Sequence, residues 1–344
     1  MSIEYENLQL VNKPFFSSFK EAFNNVTDSG WYILGKEVES FETEFSRYLG
    51  AKSSIGVASG LDALTLSLRA AALPAGSEVI VPSNTYIATI LSILHNNLVP
   101  VLVEPHLDTY NIDANRIEEK ITSKTSAIMI VHLYGLPCEM RQISALVDKY
   151  SLLLIEDCAQ AHGASYHGQK VGTFGVGAFS FYPTKNLGAL GDGGAISVNC
   201  PEFRQKLVSL RNYGSTQKYH NDVIGFNSRL DELQAAFLRI KLKHLDEINQ
   251  HKAKLAQLYF EGLNDRYILP HRDQTKINAY HIFPIRHRDR DRDRDRDSLR
   301  QYLLKSEIKT EIHYPIPPHK QSALQHILDG SYPISEEIHS TVLS

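Results

Sequence analysis

The chain has 344 residues, of which 42% are hydrophobic and 22% charged, and its formal net charge is -3. That length holds a large core with a second, smaller lobe, and the near balance of charge gives no electrostatic case for nucleic acid or a membrane surface as partner. Cys138, Cys158 and Cys200 lie far apart with no CxxC pair, which argues against a disulfide framework or a zinc site and fits a reducing compartment.

The first residues, MSIEYENLQLVNKPFF, carry acids and lack the apolar centre of a signal peptide. No apolar run approaches the roughly 20 residues that span a bilayer, so a cytoplasmic enzyme is expected. Short β-branched runs then alternate with helical spacing. Strands are expected at 78–81, 99–104, 127–133, 152–156, 178–181 and 195–198, with helices at 61–72, 87–96 and 141–150. Such alternation predicts an α/β fold with a mostly parallel sheet, and ligands gather at the carboxyl ends of its strands. From Leu230 the apolar positions Leu233, Phe237, Ile240, Leu245 and Ile248 follow a helical period, which predicts one connecting helix over 230–260. The division expected is a large domain over 1–229, that helix, and a small C-terminal domain over 261–344.

Within the small domain, residues 288–297 spell Arg-Asp five times; the run has no apolar face and reads as a solvated loop. The last residues, Thr341, Val342 and Leu343, read as the start of an apolar element, as if the small domain were truncated.

The chemistry centres on the stretch from Ser180 to Gly194. A strand ends in Ser180, a loop carries Lys185, and Gly191, Gly193 and Gly194 lead into the next strand. A Schiff-base lysine must sit on a constrained loop with a lowered pKa. The acid ending the run 152–157 puts Asp157 at the sheet's carboxyl edge, where a carboxylate keeps a pyridine nitrogen protonated. Gly60 and Leu61 open a helix, whose free N–H groups suit a phosphate. Tyr86 follows a strand closely enough to stack on a ring. The ordinary readings of the same residues are a solvated lysine, a turn acid, a turn glycine and a core tyrosine; it is the conjunction of Asp157 and Lys185 that those readings leave unexplained. His162 and His167 read as structure, and the histidines show no metal-ligand spacing.

The segments SGWYILG at 29–35, SGLDAL at 59–64, PSNTYIAT at 82–89, EDCAQAHGA at 156–164, SFYPTKNLGALGDGG at 180–194 and GFNSRLDELQAA at 225–236 resemble the DegT/StrS family of nucleotide-sugar aminotransferases. The resemblance implies the aspartate aminotransferase-like fold (fold type I) and pyridoxal 5'-phosphate (PLP), with pyridoxamine 5'-phosphate as its second form. It makes Lys185 the Schiff-base residue and proton shuttle, Asp157 the partner of the pyridine nitrogen and Gln160 a neighbour of the ring hydroxyl. Tyr86 would lie on the ring face, Gly60, Leu61 and Ser180 on the phosphate, and Asn227 on the phosphate of the neighbouring subunit of a homodimer with shared sites. His313 and Tyr314, in IHYPIP, fall where relatives line the sugar pocket, and Tyr32, Tyr182 and Lys218 are further sugar or nucleotide contacts. Lysine at 185, where some dehydrating relatives carry histidine, implies transamination.

The likeness extends to VEPHLDTYNID at 103–113 and is greatest to enzymes acting on dTDP-3-keto-6-deoxyhexoses for surface polysaccharides, with L-glutamate as donor. Enzymes that aminate C4 or use UDP-sugars share every residue named. The alternative of another class is a catalytically idle PLP-binding regulator.

Overall fold

The computed structural model describes residues 2–287 and 296–344. Among them, seven strands form the central sheet: β1 Ser53–Val57, β2 Glu78–Pro82, β3 Val99–Val103, β4 Thr125–Val131, β5 Leu153–Asp157, β6 Val176–Ser180 and β7 Gly194–Val198. Their order is β1-β7-β6-β5-β4-β2-β3. The run β6-β5-β4-β2-β3 is parallel, and β7 is antiparallel to both its neighbours. The six strands expected from the sequence are present with ends shifted by one or two residues. The extra strand, β1, escaped notice because Ser53, Ser54 and Gly56 dilute its apolar signal.

Side chains alternate across each strand, and this splits the core into two layers. Val79, Val81, Met129 and Ile155 face α3 (Gly60–Ala71) and α4 (Ile87–Leu94), while Ile80, Ile128, Ile130 and Leu154 face α5 (Met140–Tyr150). A third cluster forms where Phe41 and Phe45 of a helix at Lys36–Leu49 meet Phe179 and Phe181 at the end of β6, with edge-on ring contacts of 5.0–5.5 Å. This cluster anchors the strand end from which the Lys185 loop departs.

The single helix expected over 230–260 is instead two, α6 (Glu232–Leu242) and α7 (Leu245–Gly262). His244 leaves the helical region at φ -112, ψ 6. Asp246 and Glu247 then supply acids to a new first turn, which complements the helix dipole there. The break redirects the chain so that Asn249, on α7, reaches the residues around Lys185.

A second, three-stranded antiparallel sheet joins Tyr267–Ile268, Ile285–His287 and Val342–Leu343. The apolar residues Val342 and Leu343 form an edge strand of this sheet, preceded by a helix, Pro333–Thr341. Glu104, just past β3, accepts the N–H groups of Ile334 (2.9 Å) and Ser335 (3.0 Å) and so ties that helix to the large sheet. Most of the Arg-Asp run, 288–295, lies outside the described residues. Its last pair departs from the expected loop: Arg296 and Asp297 open a helix, Arg296–Lys305, and Arg296 donates to the His339 carbonyl at 2.8 Å. No described helix is long and apolar enough to cross a membrane.

Candidate active site

Parallel strands end on one edge, so β2, β5 and β6 deliver Tyr86, Asp157 and Ser180 to the same side of the sheet. Asp157 is the last residue of β5 and is 6% exposed. Thr89, on α4, donates its hydroxyl to the carboxylate at 2.9 Å, and the Ala159 N–H donates at 3.1 Å. Burial raises the Asp157 pKa above the usual carboxylate range, with these two hydrogen bonds and nearby Lys185 pulling against it. The site thus holds a desolvated carboxyl group ready for a cationic partner.

Lys185 sits in a tight turn, its N–H donating to the Tyr182 carbonyl at 2.8 Å. Burial lowers its pKa to about 8, and Asp157 and Glu6 oppose the shift. Its Nζ lies 3.3 Å from Nε2 of His281, a residue the sequence reading did not select. No local motif marks His281, which is 96 positions away in the chain.

Gln160 is committed on both sides of its amide: it accepts the Tyr134 N–H at 2.6 Å and donates to the Tyr314 hydroxyl at 2.9 Å. The Tyr314 ring lies 5.1 Å from that of Tyr86. The His313 carbonyl accepts from the Tyr134 hydroxyl, and the His313 ring stands 5.7 Å from Tyr5. Burial, aided by Lys185, lowers the His313 pKa to about 4 and keeps its ring neutral. His313, Tyr314, Gln160 and Tyr86 thus form one wall beside Asp157.

At the other side, Ser59 caps α3 by accepting the Asp62 N–H at 3.1 Å. Gly60 and Leu61 are the first helical residues, whose N–H groups have no acceptor within the helix. A Cβ on Gly60 would lie 2.5 Å from the Ser180 Cβ and 3.1 Å from its Oγ. The absence of a side chain there leaves a cradle of N–H groups beside a hydroxyl, which suits a phosphate. An anion cradle, a buried carboxylate and a lysine of lowered pKa on one sheet edge fit PLP.

Tyr32, Tyr182, Lys218 and Asn227 are on the surface, with Tyr32 52% and Tyr182 53% exposed. No contact among the described residues joins Tyr32, Lys218 or Asn227 to the Lys185 cluster. Tyr32 is nevertheless held firmly: buried Glu232 accepts the N–H groups of Gly35, Glu37 and Val38 at 2.8–2.9 Å, which fixes the segment that carries it. His162 is buried between the rings of Phe179 and Phe181, and burial takes its pKa to about 3. His132, Glu156 and Cys158 lie close enough to bracket a cation, but Glu156 is already engaged by His132 and by the N–H groups of Gly172, Phe174 and Gly175.

Comparison with known proteins agrees with this geometry. The sequence profile of the DegT/DnrJ/EryC1/StrS aminotransferase family matches residues 16–344. A dTDP-3-amino-3,6-dideoxy-alpha-D-galactopyranose transaminase of Aneurinibacillus thermoaerophilus is 54% identical over 344 residues, covering 99% of this chain and 93% of the relative. The crystal structure of DesV from S. venezuelae, in complex with a ketimine intermediate, superposes with a TM-score of 0.95 at 42% identity, covering 100% of this chain and 92% of that one. NtdA from Bacillus subtilis, solved with bound cofactor PMP, gives a TM-score of 0.92 at 30% identity, covering 99% and 80%. The chain belongs to the DegT/DnrJ/EryC1/StrS aminotransferase family, whose enzymes depend on PLP, and it is a sugar aminotransferase.

Proposed function

We propose that this enzyme transfers the amino group of L-glutamate to the ketone of a dTDP-3-keto-6-deoxyhexose, yielding 2-oxoglutarate and a 3-amino-3,6-dideoxy sugar nucleotide for surface polysaccharide. The observation that carries the reaction class is the pairing of a buried Asp157 with a Lys185 of lowered pKa on one sheet edge. The sugar is supported by the 54% identity to the Aneurinibacillus transaminase.

When bound, PLP supplies an electron sink and carries the amino group between the two substrates. Asp157 would hold its protonated ring nitrogen, Gly60, Leu61 and Ser180 its phosphate, Tyr86 a ring face, and Gln160 the region of its hydroxyl. Lys185 Nζ moves the proton from the donor's carbon and later returns one to the sugar carbon. That task needs a neutral amine, and burial of Nζ favours it. His313 and Tyr314 stand beside Tyr86, where a hexose would lie over the cofactor.

We further propose a cytoplasmic homodimer in which each subunit extends its Asn227 to the other's phosphate, with Tyr32, Tyr182 and Lys218 reaching sugar or nucleotide. Exposed Trp31, Tyr32, Ile33, Tyr213, Val223 and Ile224 support a covering subunit, because a monomer leaves these large apolar side chains in water. The boundaries 1–229 and 261–344 are proposed for the two domains.

The test is direct. Purified protein should show the visible band of lysine-bound cofactor, and L-glutamate should convert it to the pyridoxamine form. Adding dTDP-3-keto-6-deoxyhexose should restore the band and release an amino sugar nucleotide. Restoration only by a 4-keto or a UDP-linked sugar would overturn the substrate; no response to any amine would overturn the reaction.

A further inference from the structure

We infer that His281 is a positioning residue for Lys185, held as a hydrogen-bond acceptor by a directional chain of amides running through Asn186 and Asn249. The inference deepens the transamination reading above and rests on it for the role of Lys185. It starts at a carbonyl whose polarity is not negotiable. The His162 C=O can only accept, and it takes a hydrogen bond from Asn249 Nδ2 at 2.8 Å. That fixes the Asn249 amide, so its Oδ1 must accept, and it does so from Asn186 Nδ2 at 2.8 Å. The Asn186 Nδ2 group also donates to the Ala279 carbonyl at 2.8 Å, which uses both of its hydrogens.

Asn186 Oδ1 is then the only atom of that side chain facing His281, and it stands 3.2 Å from Nδ1. Nδ1 must carry the ring proton. In a neutral imidazole this leaves Nε2 bare, and Nε2 is the atom 3.3 Å from Lys185 Nζ. Every link has one permitted direction, and two backbone carbonyls anchor it. The surroundings of His281 reinforce the neutral ring: burial comes first, then the amines of Lys185 and of Lys252 on α7, while the neutral rings of His162 and His313 also face it and would oppose a second proton.

The consequence is geometric. Donation of one N–H to a fixed acceptor removes the rotational freedom of a lysine amine when it is free of the cofactor, and sends its lone pair in a set direction. Asn186 is 4% exposed and follows Lys185 directly, so one short loop carries both the amine and the first member of its orienting chain. Rigid support of this kind is what separates a present catalytic group from a productive one.

The first experiment is nitrogen-15 NMR of the histidine-labelled holoenzyme, with His281 assigned by its loss in His281→Gln. The expected signature from pH 6 to 9 is a protonated Nδ1 and an unprotonated Nε2. A protonated Nε2, or an imidazolium at neutral pH, overturns the inference. The second experiment compares variants. His281→Leu should lower kcat by about 10²-fold with little change in the KM for glutamate, and His281→Gln, which keeps an acceptor, should recover about tenfold of that loss.

Asn186→Asp should raise the His281 pKa, because a carboxylate favours the imidazolium, and should move the acid limb of the kcat profile upward in pH. Equal kcat in wild type and His281→Leu, or an acid limb unmoved in Asn186→Asp although His281 titrates higher, overturns the inference. The tautomer measurement needs no substrate. A wild type inert to glutamate would therefore sink the transamination reading and still leave the relay decided.

Discussion

Glu156 and Asp157 are adjacent on β5 and point to opposite faces of the sheet, so one acid builds the fold and the other the site. Glu156 is fully buried against His132 and three backbone N–H groups of the 172–175 turn, all at 2.8–3.2 Å. Asp157 faces Thr89 and, further off, Lys185. Asp157→Asn should therefore leave the thermal melt nearly unchanged and lower kcat by on the order of 10²-fold. Glu156→Gln, which turns an amide N–H toward backbone donors, should cost about 3 kcal/mol in urea unfolding. Matching losses of stability in the two variants would contradict this division.

Lys185 imposes a pH dependence with a definite sign. Its pKa is about 8 in the folded chain, and an unfolded lysine titrates near about 10.4. Between those values the unfolded chain binds the extra proton, so the apoprotein gains stability as pH rises across that window, and the penalty of burying the charge is fully present below it. Denaturation of apoprotein at pH 7 and pH 9.5 should show this gain. Lys185→Met should shrink the pH difference, leaving the share of Lys241, whose pKa burial also lowers to about 8. It should also be more stable than wild type at pH 7, and abolish transamination.

Gly60→Ala tests the phosphate cradle. The new Cβ would press on Ser180 Cβ and Cα, neither of which is the free end of a flexible side chain. We expect a loss of about 1–3 kcal/mol in stability and PLP affinity weakened about tenfold or more. In a Ser180→Gly background the same substitution should recover much of the stability, while PLP binding stays weak because the hydroxyl is gone.

Asn227 tests the shared site. If it serves the partner's cofactor, Lys185→Ala and Asn227→Ala subunits are each defective but complementary. Unfolding and refolding a 1:1 mixture should restore about a quarter of the sites, since half the dimers are mixed and each holds one intact site. No recovery in the mixture would place Asn227 in the same site as its own Lys185, or in none.

Much of this was legible in the sequence because the signals were local. Apolar runs ending in an acid or a serine marked β5 and β6, and a helix opening on Ser59-Gly60 marked the phosphate cradle. The likeness of six short segments to one family identified the chemistry. Local signals also misled: the apolar period across 230–260 is continuous, yet His244 with Asp246 and Glu247 starts a new helix there. The hydrogen bonds of the Gln160 amide to Tyr134 and Tyr314 had no local signal at all.

Strand–helix alternation, the strand-end positions of Asp157 and Ser180, and the loop that carries Lys185 are written into the local chain. Each follows from dihedral preferences and hydrophobic periods that act within a dozen residues. That His281 faces Lys185, that Asn249 orients Asn186, and that Glu232 holds the segment bearing Tyr32 come from long-range packing alone. These contacts join residues 63 to 197 positions apart. Nothing in the local chain directs such side chains toward each other; the packing of whole elements does, and the buried polar groups it brings together then accept the one arrangement that pairs them all.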